Sequence, residues 1–340
     1  MVSMRAARVD KAGGQFAIVE QDLPEPGPGQ VRIRVEACGI CHTDAVLVDG
    51  YLPGVSFPLV PGHEVAGRLD ALGPGVEGWA LGARVGVGWF GGCCLRCVPC
   101  RSGDFINCVA LQVPGAAYPG GFADALLVPA NALVAIPDEI SAVDAAPLMC
   151  AGATAFNALR DSNARPGDLV AVLGIGGVGH LAVQFAAQMG FETVAIARGT
   201  EKEEAARRFG ARHYLDSTSG DVAAGLRELG GARVVLATAV SSEAISAGLD
   251  GLGPRGQLVV IGAPAESLAV SPLQLIFGSH SVVGHASGTA RESEEALAFA
   301  ALTGIRPQVE AVPLDQVDEA FARMRDGAAR YRMVLTTSDH

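Results

Sequence analysis

The sequence predicts a two-domain α/β protein, one domain built on a doubly wound parallel sheet and the other mostly β. Three observations carry this. The chain has 340 residues, room for two domains of about 100–200 residues each. Its first 150 residues are rich in glycine, proline and short β-like runs, the texture of an irregular, mostly antiparallel domain. From about residue 151, apolar runs alternate with helical patterns, which implies βαβ units and a parallel sheet.

Taken in order, Val31–Ala37 (VRIRVEA) alternates polar and apolar positions and reads as a half-buried strand, followed by another short run at Ala83–Val87. Pro24, Pro26, Pro28, Pro58 and Pro61 punctuate the segments between. Leu169–Leu173 (LVAVL) is a buried-strand pattern ending in a glycine-rich turn, and a helical pattern runs from Val178 to Met189. Thr193–Ala197, a charged helix around Glu201–Phe209, Arg233–Ala237 and Gln257–Ile261 continue the alternation. A helix at Glu292–Leu302 and a strand at Arg332–Leu335 close the chain.

Composition excludes several classes. Hydrophobic residues make up 49% and charged residues 18%, so real cores are expected and disorder is not. The formal net charge of -11 argues against a nucleic-acid partner, which needs clustered Lys and Arg. Leu169–Phe191 runs 23 residues without a charge, long enough to span a bilayer. Its glycines, His180 and two glutamines, and its change of pattern midway, fit a strand, turn and helix better, so no membrane contact is expected. The N-terminus has no apolar signal region, and five of the eight cysteines fall within 16 residues. In a reducing cytoplasm, the compartment this implies, such a cluster reads as a metal site rather than as disulfides.

Gly174-Ile175-Gly176-Gly177-Val178-Gly179 sits where a strand passes into a helix. The first glycine permits the tight turn, the second lets backbone approach a pyrophosphate, and the third lets helix pack on strand. The helix N-terminus adds free N–H groups and a positive dipole end. That is the fingerprint of a Rossmann dinucleotide-binding domain. An acid roughly 20 residues on normally holds the adenosine ribose. Here the strand ends in Ala197-Arg198-Gly199-Thr200. Arg198 suits a 2′-phosphate, which favours NADP(H) over NAD(H); the plainer alternative is a solvated surface arginine.

Cys94, Cys97, Cys100 and Cys108 give C-x2-C-x2-C-x7-C, four thiolates on one loop that match the closed tetrahedral site of a structural zinc. Cys93 adjoins this set as a competitor, and the spacing favours Cys94. Cys41, His63 and Cys150 are not joined by spacing. Read singly, the two cysteines are small core residues and His63 a loop histidine. Were they to converge, two thiolates and an imidazole would make a three-ligand catalytic zinc site with one position open to substrate.

Gly39-Ile40-Cys41-His42-Thr43-Asp44, Pro61-Gly62-His63-Glu64, the four-cysteine lobe, Cys150-Ala151-Gly152-Ala153-Thr154 and the glycine turn occur together, in order. Over essentially its whole length the sequence thereby resembles the zinc-dependent alcohol dehydrogenases of the medium-chain dehydrogenase/reductase family. The resemblance implies a discontinuous, GroES-like catalytic domain at 1–150 and 287–340 around a Rossmann domain at 151–286, with cofactor and zinc in the cleft between. It implies two zinc ions per subunit, the catalytic one on Cys41, His63 and Cys150. Glu64 matches an acid that approaches the metal transiently, Asp44 a carboxylate orienting the histidine ligand, and Thr43 the hydroxyl that bonds the substrate oxygen and starts a proton relay. His42 and Arg332 match pyrophosphate contacts, Thr154 a residue near the nicotinamide, and Trp89 an aromatic wall of the substrate pocket, with ordinary core packing as its plainer reading. The resemblance also implies dimers or tetramers.

One departure stands out. Well-known members carry a histidine a few positions after the relay threonine, and Val46 takes that place here. Trp89, Tyr51, Leu52 and Phe90 suggest an apolar pocket for aromatic or medium-chain primary alcohols and aldehydes. A polyol dehydrogenase of the same fold is the nearer rival, but it usually presents glutamate where Cys150 stands. A non-catalytic zinc- and dinucleotide-binding protein is the more distant one. Cys38 reads as a small buried residue, and His180, His213, His280, His285 and His340 as structural or surface groups.

Overall fold

Short, punctuated strands dominate the first part of the chain, in a computed structural model that describes residues 2–52 and 54–337. They are β1 (Ser3–Val9), β2 (Phe16–Asp22), β3 (Gln30–Gly39), β4 (Val65–Leu72), β5 (Arg84–Val87), β6 (Ala125–Pro129) and β7 (Val134–Ala135). After them come β8 (Leu169–Leu173), β9 (Glu192–Ala197), β10 (His213–Asp216), β11 (Ala232–Ala237), β12 (Leu252–Val260) and β13 (Ser281–Gly284), then β14 (Val309–Pro313) and β15 (Arg332–Thr336). Two units result. One is formed by the chain up to Ala153 together with the chain from Gly288 onward, the other by Thr154–Ser287.

In the discontinuous unit, the main sheet has the order β14-β15-β3-β4-β5-β7, with β6 also on β3, while β1 and β2 form an antiparallel pair. β3 meets β4, β6 and β15, all antiparallel. This position explains a departure from the predicted half-buried strand. Val31, Ile33 and Val35 are buried as the alternation requires, but so is Arg32 on the other face. Its guanidinium is satisfied by Asp70 at 2.9 Å, Glu25 at 3.1 Å and the Pro24 carbonyl at 2.9 Å, as a buried charge must be. Register shifts against β4 at Arg32/Ile33 and Val35/Ala37 bend β3 on its way to Gly39. Val31, Ile33, Val65, Val85, Phe122 and Leu126 lie in its apolar core.

In the continuous unit the sheet order is β10-β9-β8-β11-β12-β13, every neighbour parallel. The order reverses between β8 and β11, which is where such sheets bind ligands beyond the carboxyl ends of their strands. All five residues of β8 are buried, as expected of a strand covered on both faces. The charge-free stretch Leu169–Phe191 resolves into β8, the glycine turn and the helix Gly179–Gln188. The one helical run among the described residues with the length and apolarity of a membrane span is a different one, Ala142–Arg160, and 72% of its apolar window is buried inside the protein.

Ile33 has no exposed surface and sits on the most heavily paired strand. Ile33→Ala is expected to destabilise the discontinuous unit by about 2–5 kcal/mol, read as a lowered urea midpoint. A loss under about 1 kcal/mol would mean that this core is not close-packed around β3.

Candidate metal and dinucleotide sites

At the end of β3 the chain turns at Ile40 and Cys41 into the helix His42–Val48. Asp44, in its first turn, has no exposed surface, and its carboxylate is filled by three partners. The Cys41 N–H donates at 2.8 Å, the Gly62 N–H at 3.1 Å, and His63 Nδ1 lies 3.1 Å away. The first bond fixes the helix start and the second fixes the loop before β4. The third sets the His63 tautomer, so that Nε2 carries the lone pair. That Nε2 is buried and has no partner among the described residues. Buried polar atoms are seldom left so.

Cys150 arrives on a wide helical turn, Leu148–Gly152, with the i→i+5 pattern that marks functional positions in helices. Gly88, just past β5, admits this turn; a Cβ there would fall on the Met149 carbonyl. One ligand atom each from Cys41, His63, Glu64 and Cys150 then lies within 4.8 Å of the others. A hydrogen bond from Cys150, helped by His63 and Arg332, holds the Cys41 thiol well below the ordinary range. The same bond and burial push Cys150 well above it. Burial lowers the His63 imidazole, but Asp44 and Cys41 outweigh it and raise its pKa well above the usual value. Two sulfurs and an orphaned imidazole nitrogen, with the other nitrogen held by a carboxylate, fit a zinc ion.

The remaining residues expected around this metal fall as follows. Thr43 is half-buried, its hydroxyl accepting from the Cys41 thiol at 3.7 Å, while His42 and Val46 are exposed. Trp89 is half-buried and meets His63 edge-on, centroids 5.7 Å apart at 87°. Of the other residues of the expected apolar pocket, Phe90 is buried and Tyr51 is 77% exposed. Glu64 is fully buried and its carboxyl is pushed up to about 8 by burial, against the pull of Arg332. Arg332 is itself buried, with Nη2 on the two Glu64 oxygens at 2.6 and 2.5 Å and on the Ile40 carbonyl at 2.9 Å. Its Nε is buried as well and has no partner among the described residues.

The four-cysteine lobe forms a second cluster. Cys94, Cys97, Cys100 and Cys108 place their sulfurs within 4.8 Å of one another. The backbone N–H groups of Cys94 and Ala110 point at Cys108 Sγ, at 3.3 and 3.4 Å. Backbone donors from Arg96 and Cys97 pull the Cys94 thiol down to about 6. Four converging sulfurs with N–H donors suit a closed tetrahedral ion. Cys93 stays outside the cluster, accepting from Asn131.

In the continuous unit the glycine turn divides its labour by position. Gly174 has φ +98° and lies 3.0 Å, at its would-be Cβ, from Ala239 N and Thr238 Oγ1. Thr238, at the end of β11, donates to the Gly174 carbonyl at 2.7 Å. A Cβ on Gly179 would fall on that same carbonyl, so helix and strand pack through it. Gly176 is different: a Cβ there meets nothing within 4 Å, and the free space above the turn fits a pyrophosphate. Arg198 is exposed after β9 and makes no hydrogen bond or ion pair among the described residues. The Gly199 peptide beside it is pinned by Asp216 at 2.7 Å and Tyr214 at 2.7 Å. Lys202 donates to the Ile175 carbonyl at 2.8 Å; the charge pattern of its helix hides this contact in the sequence. Thr154 is half-buried at the start of the unit, in the helix Ala153–Arg160.

Asp44→Asn keeps the shape but cannot accept from both backbone N–H groups and the imidazole. Metal affinity at the Cys41/His63/Cys150 site is expected to fall about 10–100-fold, measured by competition with a chromophoric chelator. Unchanged affinity would show that His63 orients itself. In the turn, Gly176→Ala is expected to keep wild-type stability while dinucleotide binding weakens. Gly179→Ala is expected to destabilise the unit by about 1–3 kcal/mol through overpacking. Equal behaviour of the two in melting and in dinucleotide titration would refute this division.

Comparison with known proteins gives two family matches. The alcohol dehydrogenase GroES-like domain matches residues 27–138 and the zinc-binding dehydrogenase family residues 177–302. Alcohol dehydrogenase notN of Aspergillus sp. (strain MF297-2) is 42% identical over 324 residues, 95% of each chain. A cinnamyl alcohol dehydrogenase of Sorghum bicolor superposes with TM-score 0.90 at 32% identity, covering 98% of each chain. A CAD of Helicobacter pylori, complexed with NADP(H), does so with TM-score 0.87 at 25% identity, again over 98% of each.

Proposed function

The chain belongs to the zinc-dependent alcohol dehydrogenases of the medium-chain dehydrogenase/reductase family, and from that premise we propose that it interconverts primary alcohols and aldehydes, aromatic or medium-chain, with NADP(H). The observation that carries the reading is the convergence of Cys41, His63 and Cys150 around an imidazole nitrogen with no protein partner. These three residues would hold the catalytic zinc, and Cys94, Cys97, Cys100 and Cys108 a structural one. A zinc ion held at the first site would supply a Lewis acid for the substrate oxygen. A bound nicotinamide would supply or take up the hydride.

The chain's own residues do the rest. Asp44 fixes His63 by accepting from Nδ1, which keeps Nε2 available as a ligand. Thr43, next to Cys41 and half open to solvent, takes the proton from the alcohol hydroxyl or returns it. Val46, one helical turn beyond, offers no titratable group, so the proton leaves Thr43 by another route, through water, the cofactor's ribose hydroxyls or another side chain. Trp89, edge-on to His63, presents an apolar wall beside the ligand set and favours an aromatic or aliphatic substrate. Cys150 in place of a carboxylate separates this ligand set from that of a polyol dehydrogenase.

Gly174, Gly176, Gly177, Val178 and Gly179 would bind the pyrophosphate, and Arg198 the adenosine 2′-phosphate. Arg198 is exposed, without an ion pair among the described residues, after a strand end that holds Ala197. The free state of all eight cysteines fits a cytoplasmic enzyme. Leu273, Ile276 and Phe277, each at least 60% exposed on the helix Pro272–Gly278, support a homo-oligomer through the continuous unit.

The test mixes the purified protein with a panel of aromatic aldehydes and either NADPH or NADH, with and without a zinc chelator. Oxidation of NADPH that the chelator abolishes is expected. Arg198→Ala should raise KM for NADPH about 10–100-fold, the loss of one or two charge-assisted hydrogen bonds, and leave KM for NADH unchanged. Faster turnover with NADH would overturn the cofactor assignment, and no turnover by zinc-loaded protein would favour a binding role instead.

A further inference from the structure

Trp89 stands between two anchors of the chain. Upstream, β5 ends at Val87, paired with Val65 of β4, and Gly88 lies where a Cβ would fall on the Met149 carbonyl. Downstream, the Gly91 N–H donates to the Gln112 carbonyl at 2.8 Å, and the Gln112 N–H to the Gly92 carbonyl at 2.9 Å. Trp89 and Phe90, between these anchors, make no backbone hydrogen bond among the described residues. The indole therefore takes its edge-on place against His63 from how the chain is held on either side.

The downstream anchor has a third member. The Tyr118 hydroxyl donates to the Gly91 carbonyl at 2.7 Å. Its ring is half-buried, and burial pushes the phenol up, so the oxygen stays protonated and able to donate. Gly91 leaves room for it, since a Cβ there would lie 2.5 Å from the Tyr118 oxygen and 2.5 Å from Pro114 Cδ. Just beyond Tyr118 the chain joins the loop that delivers His63. The Gly120 N–H donates to the Val60 carbonyl at 2.7 Å, the Gly121 N–H to the Gly62 carbonyl at 2.8 Å, and the Phe122 N–H to the Pro61 carbonyl at 3.0 Å. One phenol thus links the segment that carries Trp89 to the segment that carries His63.

We propose that Tyr118 is a positioning residue for substrate: its bond to Gly91 sets the pose of the Trp89 indole beside His63, and with it the preference for aromatic over short aldehydes. The inference rests on Trp89 as a wall for substrate. Without the hydroxyl, the stretch from Trp89 to Gly91 keeps only its main-chain ties, and the indole gains freedom that an aromatic substrate must remove on binding. A short aldehyde, with little surface to lay on the indole, is indifferent to that freedom.

The test uses the full-length, zinc-loaded enzyme with benzaldehyde and acetaldehyde as probes. Tyr118→Phe removes the hydroxyl alone. KM for benzaldehyde is expected to rise about 3–10-fold, the weight of one hydrogen bond, with kcat and the KM for acetaldehyde unchanged. A second readout needs no turnover. Trp79→Phe leaves Trp89 as the sole tryptophan, and its emission should be quenched more by acrylamide once Tyr118→Phe is added. Gly91→Ala, whose Cβ displaces the hydroxyl, is expected to act alike, and the double variant to be no worse than Gly91→Ala alone. General loosening of the fold would instead add the two losses and weaken both aldehydes. An unchanged benzaldehyde KM and Trp89 emission in Tyr118→Phe, equal losses for both aldehydes, or additive losses in the double variant would each overturn the proposal. If Tyr118→Phe does not fold, Gly91→Ala decides, and if neither aldehyde is turned over, the Trp89 emission decides. Failure of the pocket reading has its own signature: Trp89→Ala would then leave the KM for benzaldehyde unchanged.

Discussion

The carboxylate of Asp44 is the constraint on which the metal site depends. It is buried without exposed surface, and it reaches the start of a helix, a loop and an imidazole with three short contacts. A buried carboxylate without partners is costly, and with three it becomes a rigid node. Cys41 and His63, separated by a helix and a loop, hold their places relative to each other through this one group. Cys150 comes from a distant segment and is aimed by its wide helical turn against Gly88. The donor set is thus held by hydrogen bonds and close packing.

The dinucleotide turn follows a different physical logic. Its geometry comes from what is missing, since the three motif glycines give a positive φ, an open space and a helix–strand contact in turn. Its supports are polar and come from neighbouring strands: Thr238 after β11 bonds the turn itself, and Tyr214 and Asp216 on β10 bond the Gly199 loop beside Arg198. Asp216 has its own pKa lowered by N–H and O–H donors from Thr218 and by Gly199, so its charge serves the loop's shape. The end of β9 is left with an exposed guanidinium next to a pinned peptide.

Much of this was legible in the sequence, and the reasons differ by element. β8, the glycine turn and its helix were readable because a local pattern fixes them and the parallel sheet buries β8 entirely. The four-cysteine lobe was readable because its ligands lie on one loop with fixed spacing. Cys41, His63 and Cys150 were not joined by any local rule; only the likeness to a family suggested their meeting. The second layer was hidden altogether. Nothing in the order of residues pairs Arg332 with Glu64, because sheet register decides their meeting.

The discontinuity of the first unit bears on how the molecule is made. Arg332 meets Ile40 across 292 positions of chain, and β15 seals a sheet whose other strands, β14 apart, are complete before the continuous unit begins. During synthesis the cysteines and histidine of the metal cluster emerge long before the guanidinium that partners Glu64. A nascent chain caught in that interval has an open edge on β3 and an uncompensated carboxylate in its interior. The continuous unit, by contrast, has all its strands from one run and can close by itself. Its two ends meet where the Asn157 amide donates to the Ser287 carbonyl at 2.9 Å, so its closure brings together the two points at which the first unit's chain is interrupted.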